Sequence, residues 1–193
     1  MTIEDSGDVS VIVSGSPQVA PVARKFKSPT FSFERTLQAI TATDKRARLE
    51  GFSDLKAALP FSHLPPSKQM EHTNECIAMV RKCLHVEVDD TVKQRIIECL
   101  SLFAQFIPAY SKIILEDLMN QFHNTSSSVL ASLLRALEKI FVCKTPSSAL
   151  VKTVEDVCLE QLQSRKVIVR KQALSLLCRV SDSPKLQLIF SRS

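Results

Sequence analysis

The chain has 193 residues, a formal net charge of +5 and 45% hydrophobic residues, enough for the core of one domain or a short array. Three glycines, one tyrosine and no tryptophan, against many Leu, Ile, Val and Ala, favour helices over a turn-rich β fold. The glycines stand at Gly7, Gly15 and Gly51, which excludes a Gly-x-Gly-x-x-Gly or phosphate loop and a Gly-x-Ser-x-Gly elbow. No run approaches the roughly 18 uninterrupted apolar residues of a membrane span, so no membrane association is expected.

Residues 1–30 lack helical periodicity and are rich in Ser, Pro, Val and Gly, the pattern of a disordered tail. The start Met1-Thr-Ile-Glu-Asp5 is acidic, unlike a secretory signal. Asp8-Val9-Ser10-Val11-Ile12-Val13 resembles a SUMO-interacting segment, in which Val9, Val11, Ile12 and Val13 would add a strand to a partner's sheet edge. Overlapping it, Asp5-Ser6-Gly7-Asp8-Val9-Ser10 resembles a degron phosphorylated at Ser6 and Ser10 and read by an F-box ubiquitin ligase. Ser16-Pro17 and Ser28-Pro29 resemble proline-directed kinase sites, making Ser16 and Ser28 candidate phosphosites beside the basic tract Arg24-Lys25-Phe26-Lys27.

Residues 31–193 read as helices with short turns. Ser32 is placed to cap a helix carrying Phe33, Leu37 and Ile40. Thr43 or Asp44 opens the next, which stops before Pro60. A helix from Ser67 carries Met70, Ile77, Val80 and Leu84. Asp89 or Asp90 caps another, ending near Pro108, and a further helix runs from about Ala109 to Phe122. Asn124 to Ser128 is a polar turn into a Leu-rich helix, and Thr145-Pro146 reads as a cap with proline at the first helical position. That helix runs toward Gln163, and Ser164 leads into the last, ended by Asp182-Ser-Pro184. The count is roughly nine helices in antiparallel pairs. After Pro184 only half a repeat with an apolar end remains, as expected of a piece or isoform of a longer array.

Four of these helices align with one another: Ala47 to Leu55, Val92 to Leu100, Val129 to Leu137 and Val169 to Leu177. With each first residue as position zero, position five is Phe52, Ile97, Leu134 and Leu174, and position eight is leucine throughout. Position eleven is Ala58, Phe103, Ile140 and Val180, and the starts lie 45, 37 and 40 residues apart. One helical pattern per period of this length marks a stacked helical-repeat array. The pattern of a cap, Val-Arg/Lys and following apolar residues, clearest in Val169-Arg170-Lys-Gln-Ala173 and Asp44-Lys-Arg-Ala47-Arg48, resembles the second helix of HEAT repeats. The resemblance spans about residues 31–190. It implies an all-α, HEAT-like or armadillo-type α-solenoid of about four antiparallel helix pairs.

Chemistry is sparse. All six cysteines fall in expected helices without a Cys-x-x-Cys pair, as free, buried thiols of an intracellular protein do. His72, Cys76, Cys83 and His85 hold zinc-type ligands at a spacing that fits no finger, so they are expected to be structural. No catalytic residue, cofactor or metal is expected.

Charge is uneven. Residues 164–193 hold seven basic side chains against Asp182 alone. Arg165, Lys166, Arg170 and Lys171 form a candidate patch for an acidic protein or a nucleic-acid backbone. The HEAT resemblance gives Arg170, equivalent to Arg48 and Lys93, a second role, pairing with an acid of the adjacent repeat. The resemblance further implies a non-catalytic protein-interaction scaffold within a larger, multi-subunit complex, intracellular and nuclear rather than cytoplasmic. The alternative is a tubulin-binding, TOG-like cytoskeletal domain, against which stands the lack of the Trp that such domains carry in an inter-helix loop.

Overall fold

The computed structural model describes residues 31–59, 66–123, 125–143 and 147–180. They form eight α-helices and one short 3-10 turn, with no strand among the described residues. The helices are α1 (Phe33–Ile40), α2 (Lys45–Ala58), α3 (Pro66–Val86), α4 (Asp90–Phe106), α5 (Ser111–Asn120), α6 (Ser127–Cys143), α7 (Ser148–Gln161) and α8 (Val167–Val180). The expected ninth helix, after Pro184, lies outside the described residues, as does the whole tail.

Start signals act through named atoms. Asp44 Oδ2 accepts from the Ala47 amide at 2.7 Å, Asp89 Oδ1 from Thr91 and Val92, and Ser126 Oγ from Val129 at 3.3 Å. All three caps stand three residues before position zero of their aligned helix. Each satisfies amides that the first helical turn leaves without a backbone partner. Ser32 precedes α1 but offers its carbonyl, which takes both the amide and the hydroxyl of Thr36.

Two sequence expectations shift. Pro108 has no amide to donate, and Pro108–Tyr110 forms a 3-10 turn before α5. The Ser111 hydroxyl closes that corner on the Ala104 carbonyl at 3.0 Å. Further on, Ser147 is the N-cap residue of α7, while Thr145 and Pro146 lie outside the described residues.

Packing follows the alignment. α2 packs on α4, α4 on α6 and α6 on α8, while α1, α3, α5 and α7 each pack on the even helix that follows. Position eight, at Leu55, Leu100, Leu137 and Leu177, is buried in every aligned helix. So is position four: Gly51, Ile96, Leu133 and Ala173. Each large apolar side chain removed from water contributes about 1.5–3 kcal/mol before ordering costs. Gly51 marks a close approach of α1 and α2, because a Cβ there would stand 2.8 Å from Ala39 Cβ and 2.9 Å from the Ile40 nitrogen. The odd helices are joined more by polar contacts. Arg81 of α3 makes a two-pronged ion pair with Asp117 of α5, and the Tyr110 hydroxyl donates to Asn74 Oδ1.

No single helix among the described residues is long and apolar enough to cross a membrane.

Candidate partner-binding surface

The basic residues at the start of α8 divide in two. Arg165, Lys166 and Lys171 are exposed, next to exposed Val167 and Ile168. Arg170 is half-buried, and its Nη1 donates to the Ser164 carbonyl at 2.8 Å. Arg179 is also engaged, through Nε to Glu138 Oε1 at 2.6 Å. The first turn of α8 carries no acid, and cations at a helix start oppose its dipole, so Arg165 and Lys166 do not stabilise the helix. The tail candidates Ser6, Ser10, Ser16 and Ser28 and the segment Val9, Val11, Ile12 and Val13 lie outside the described residues.

A second surface is formed by the outer sides of α2, α4, α6 and α8. Its polar side chains interlock between position nine of one aligned helix and position six of the next. Lys56 of α2 meets Glu98 of α4 at 3.1 Å. Glu138 of α6 accepts from the Ser175 hydroxyl of α8 at 2.8 Å, and Arg179, at position ten, adds its guanidinium to the same carboxylate. The step between α4 and α6 differs. Position nine is Ser101, position six is Arg135 and position ten is Lys139. These three line a groove of about 200 Å³ together with Thr91, Arg95 and Ser132.

Glu98 also lines this groove, but it is already engaged by Lys56 and by Arg95 at 3.0 Å. Burial pulls its carboxyl upward, and these hydrogen bonds outweigh that to hold it below the usual carboxylate range. Among the described residues, Arg135 and Lys139 have neither an ion-pair nor a hydrogen-bond partner. Both are exposed and one turn apart on α6. Composition hides this pair, because two cations on a polar helix face look like ordinary solvated surface. Comparing positions six, nine and ten across the four aligned segments exposes it.

The zinc-type residues are spread along α3. His72 stacks on Phe33 at 3.9 Å, Cys76 is buried, Cys83 is half-buried and His85 is exposed, 3.5 Å from Asp117. His72 and Cys83 are separated by about 16 Å of helix at 1.5 Å per residue. No group of three or more His, Cys, Asp or Glu among the described residues is arranged to hold a metal ion. Burial pushes the thiols of Cys76, Cys99 and Cys158 up to about 12, the opposite of what a nucleophile requires. Cys178 departs from the expected burial, since it lies on the exposed side of α8.

No protein-family model and no curated protein matches the sequence. Among solved structures the chain is similar to an engineered protein determined as a Northeast Structural Genomics Consortium target, with 22% identity and a TM-score of 0.55. The match covers 79% of this chain and 63% of that one, and at this identity the likeness concerns the fold alone.

Proposed function

We propose that the chain is a non-catalytic protein-interaction scaffold, a HEAT-like α-solenoid that holds partners within a larger nuclear complex. The observation that carries this reading is the division of labour in the aligned helices. Positions four and eight are spent on the core, while positions three, six and ten of α4 and α6 present mostly polar side chains outward along consecutive helices. Stacked helical pairs suit extended, shallow recognition, because neighbouring units continue one surface. The nuclear part of the reading draws on the HEAT resemblance and on the SUMO-interacting and proline-directed sequences of the tail.

The test is affinity purification of the 193-residue chain from cells, with mass spectrometry and cell fractionation, against a core-disrupted Leu137→Asp control. A stoichiometric set of proteins, lost with the control and recovered from the nuclear fraction, is the expected result. Recovery of chaperones alone, equally by both chains, would sink the scaffold reading.

A further inference from the structure

We infer that the groove between α4 and α6 binds a carboxylate side chain from an acidic segment of a partner protein, seated between Arg135 and Lys139. This rests on the scaffold reading above and names the chemistry of the partner it would hold.

Between α6 and α8, the residue at position nine is Glu138, and it receives donors from positions six and ten of the next helix, Ser175 and Arg179. Between α2 and α4, the same nine-to-six contact is the ion pair of Lys56 and Glu98. Both steps contain a carboxylate. Between α4 and α6 the two donor positions are filled by cations, Arg135 and Lys139, while position nine is Ser101. Ser101 is 1% exposed, and its hydroxyl is committed to the Glu98 carbonyl at 2.8 Å. The one acid lining the groove, Glu98, already serves Lys56 and Arg95. The step thus repeats the two donor positions that hold Glu138 in the following step, with a cation at each and no carboxylate at position nine.

The other groups of the groove suit the same occupant. Thr91 and Gln94 add polar groups along its length, while Ser132 gives its hydroxyl to the Ser128 carbonyl and Arg95 is held by Glu98. An Arg and a Lys one turn apart grip a carboxylate better than either does alone, because Arg offers planar paired donors and Lys a point charge. An extended acidic segment running along the groove would place a carboxylate there. Arg165, Lys166 and Lys171 do not line this groove.

The test is titration of the full chain with a fluorescently labelled glutamate decapeptide, read by anisotropy at low salt and at about 0.15 M ionic strength. Wild type should bind, and more weakly at the higher salt. Arg135→Gln with Lys139→Gln should bind about tenfold more weakly, the scale of losing two partly exposed ion pairs. Ser101→Glu, where it folds, should weaken binding likewise by supplying the carboxylate from within. Should Ser101→Glu fail to fold, the Arg135/Lys139 variant decides alone, since its substitutions are on the surface. Equal binding by wild type and the double variant overturns the inference. So does complete loss of binding on Arg165→Glu, Lys166→Glu and Lys171→Glu, which would move the site to α8. Stronger competition by a DNA oligonucleotide of equal charge also overturns it, in favour of a phosphate backbone. A set of cellular partners recovered equally by wild type and the double variant keeps the scaffold reading and removes this one.

Discussion

Arg48 and Arg170 occupy position one of the first and last aligned helices, and each sends its Nη1 back to the carbonyl six residues earlier. Arg48 reaches Ala42 at 3.1 Å, and Arg170 reaches Ser164 at 2.8 Å. Arg48 also bonds the Thr43 carbonyl and pairs with Glu87, a buried carboxylate at the end of α3. These two arginines therefore fasten α2 and α8 to the turns that precede them. That is work inside the fold, and it withdraws Arg170 from the basic patch.

Arg48→Ala should be the costlier of the two matched substitutions. It removes a guanidinium and leaves the Glu87 carboxylate without its strongest partner, at about 3 kcal/mol or more. Arg170→Ala removes one charge-assisted bond to a carbonyl, at about 1 kcal/mol. Urea unfolding of the two variants measures the difference. Equal midpoints would mean that the Glu87 pair contributes nothing.

Gly51→Ala should destabilise, although alanine is worth up to about 1 kcal/mol over glycine in a free helix. The new Cβ would meet Ala39 Cβ and the backbone nitrogen of Ile40, and backbone cannot swing aside. The resulting strain costs about 1–3 kcal/mol and should separate α1 from α2. A melting temperature above wild type would show that this helix contact has room to relax.

Leu100→Asp and Leu137→Asp should each cost about 3–5 kcal/mol, because position eight is fully buried and an unpaired charge there has no partner. Lys139→Ala should stay within about 0.5 kcal/mol, as surface changes do. The neighbouring Glu138→Ala should cost about 1 kcal/mol, because Glu138 holds both Ser175 and Arg179 of the next helix. Thermal melts of the four variants order them. A wild-type curve for Leu137→Asp would break the alignment on which the reading rests.

How far each feature could be read in advance depended on how local its cause is. Leu55, Leu100, Leu137 and Leu177 were readable as core because helical spacing alone selects a face. The caps are narrowed by sequence only to Thr43 or Asp44 and to Asp89 or Asp90, and the structure selects Asp44 and Asp89, whose carboxylates reach the first free amides. The corner at Pro108 was blurred, since proline stops one helix and can equally begin another. Cys178, expected to be buried, is exposed because it follows Leu176 and Leu177 in sequence but does not share their face. Arg135 and Lys139 are not legible in sequence, because their meaning depends on Ser101, a residue of another helix.

Thiol labelling should separate the cysteines by position. Cys178 is exposed, whereas Cys76, Cys99 and Cys158 are buried with thiols pushed up to about 12. A maleimide at neutral pH should modify Cys178 within minutes and reach the other three only as the fold opens. Peptide mapping by mass spectrometry identifies the modified residues. Early labelling of Cys99, whose thiol donates to the Phe52 carbonyl between α4 and α2, would mean that those helices part readily.

Acid should loosen the joints between α2 and α4 before it reaches the apolar core. Lys45 bonds the Asp89 carboxylate at 2.7 Å, and with the Val92 amide it holds that carboxyl below its ordinary value. At Glu98, burial works upward, but the bonds from Lys56 and Arg95 prevail and the net shift is again downward. A carboxyl whose folded pKa is depressed stabilises the fold at pH values above its unfolded pKa. That stabilisation is lost as pH falls through the folded pKa. Both groups have unfolded values near 4, so stability should be level from pH 7 to about 5 and decline below about 4. Asp89→Asn combined with Glu98→Gln should lower stability at pH 7 and flatten the decline, because neither side chain then takes up a proton. Melting temperatures of wild type and the double variant from pH 7 to 3 check this. A decline equally steep in both proteins would assign the acid sensitivity to other carboxylates.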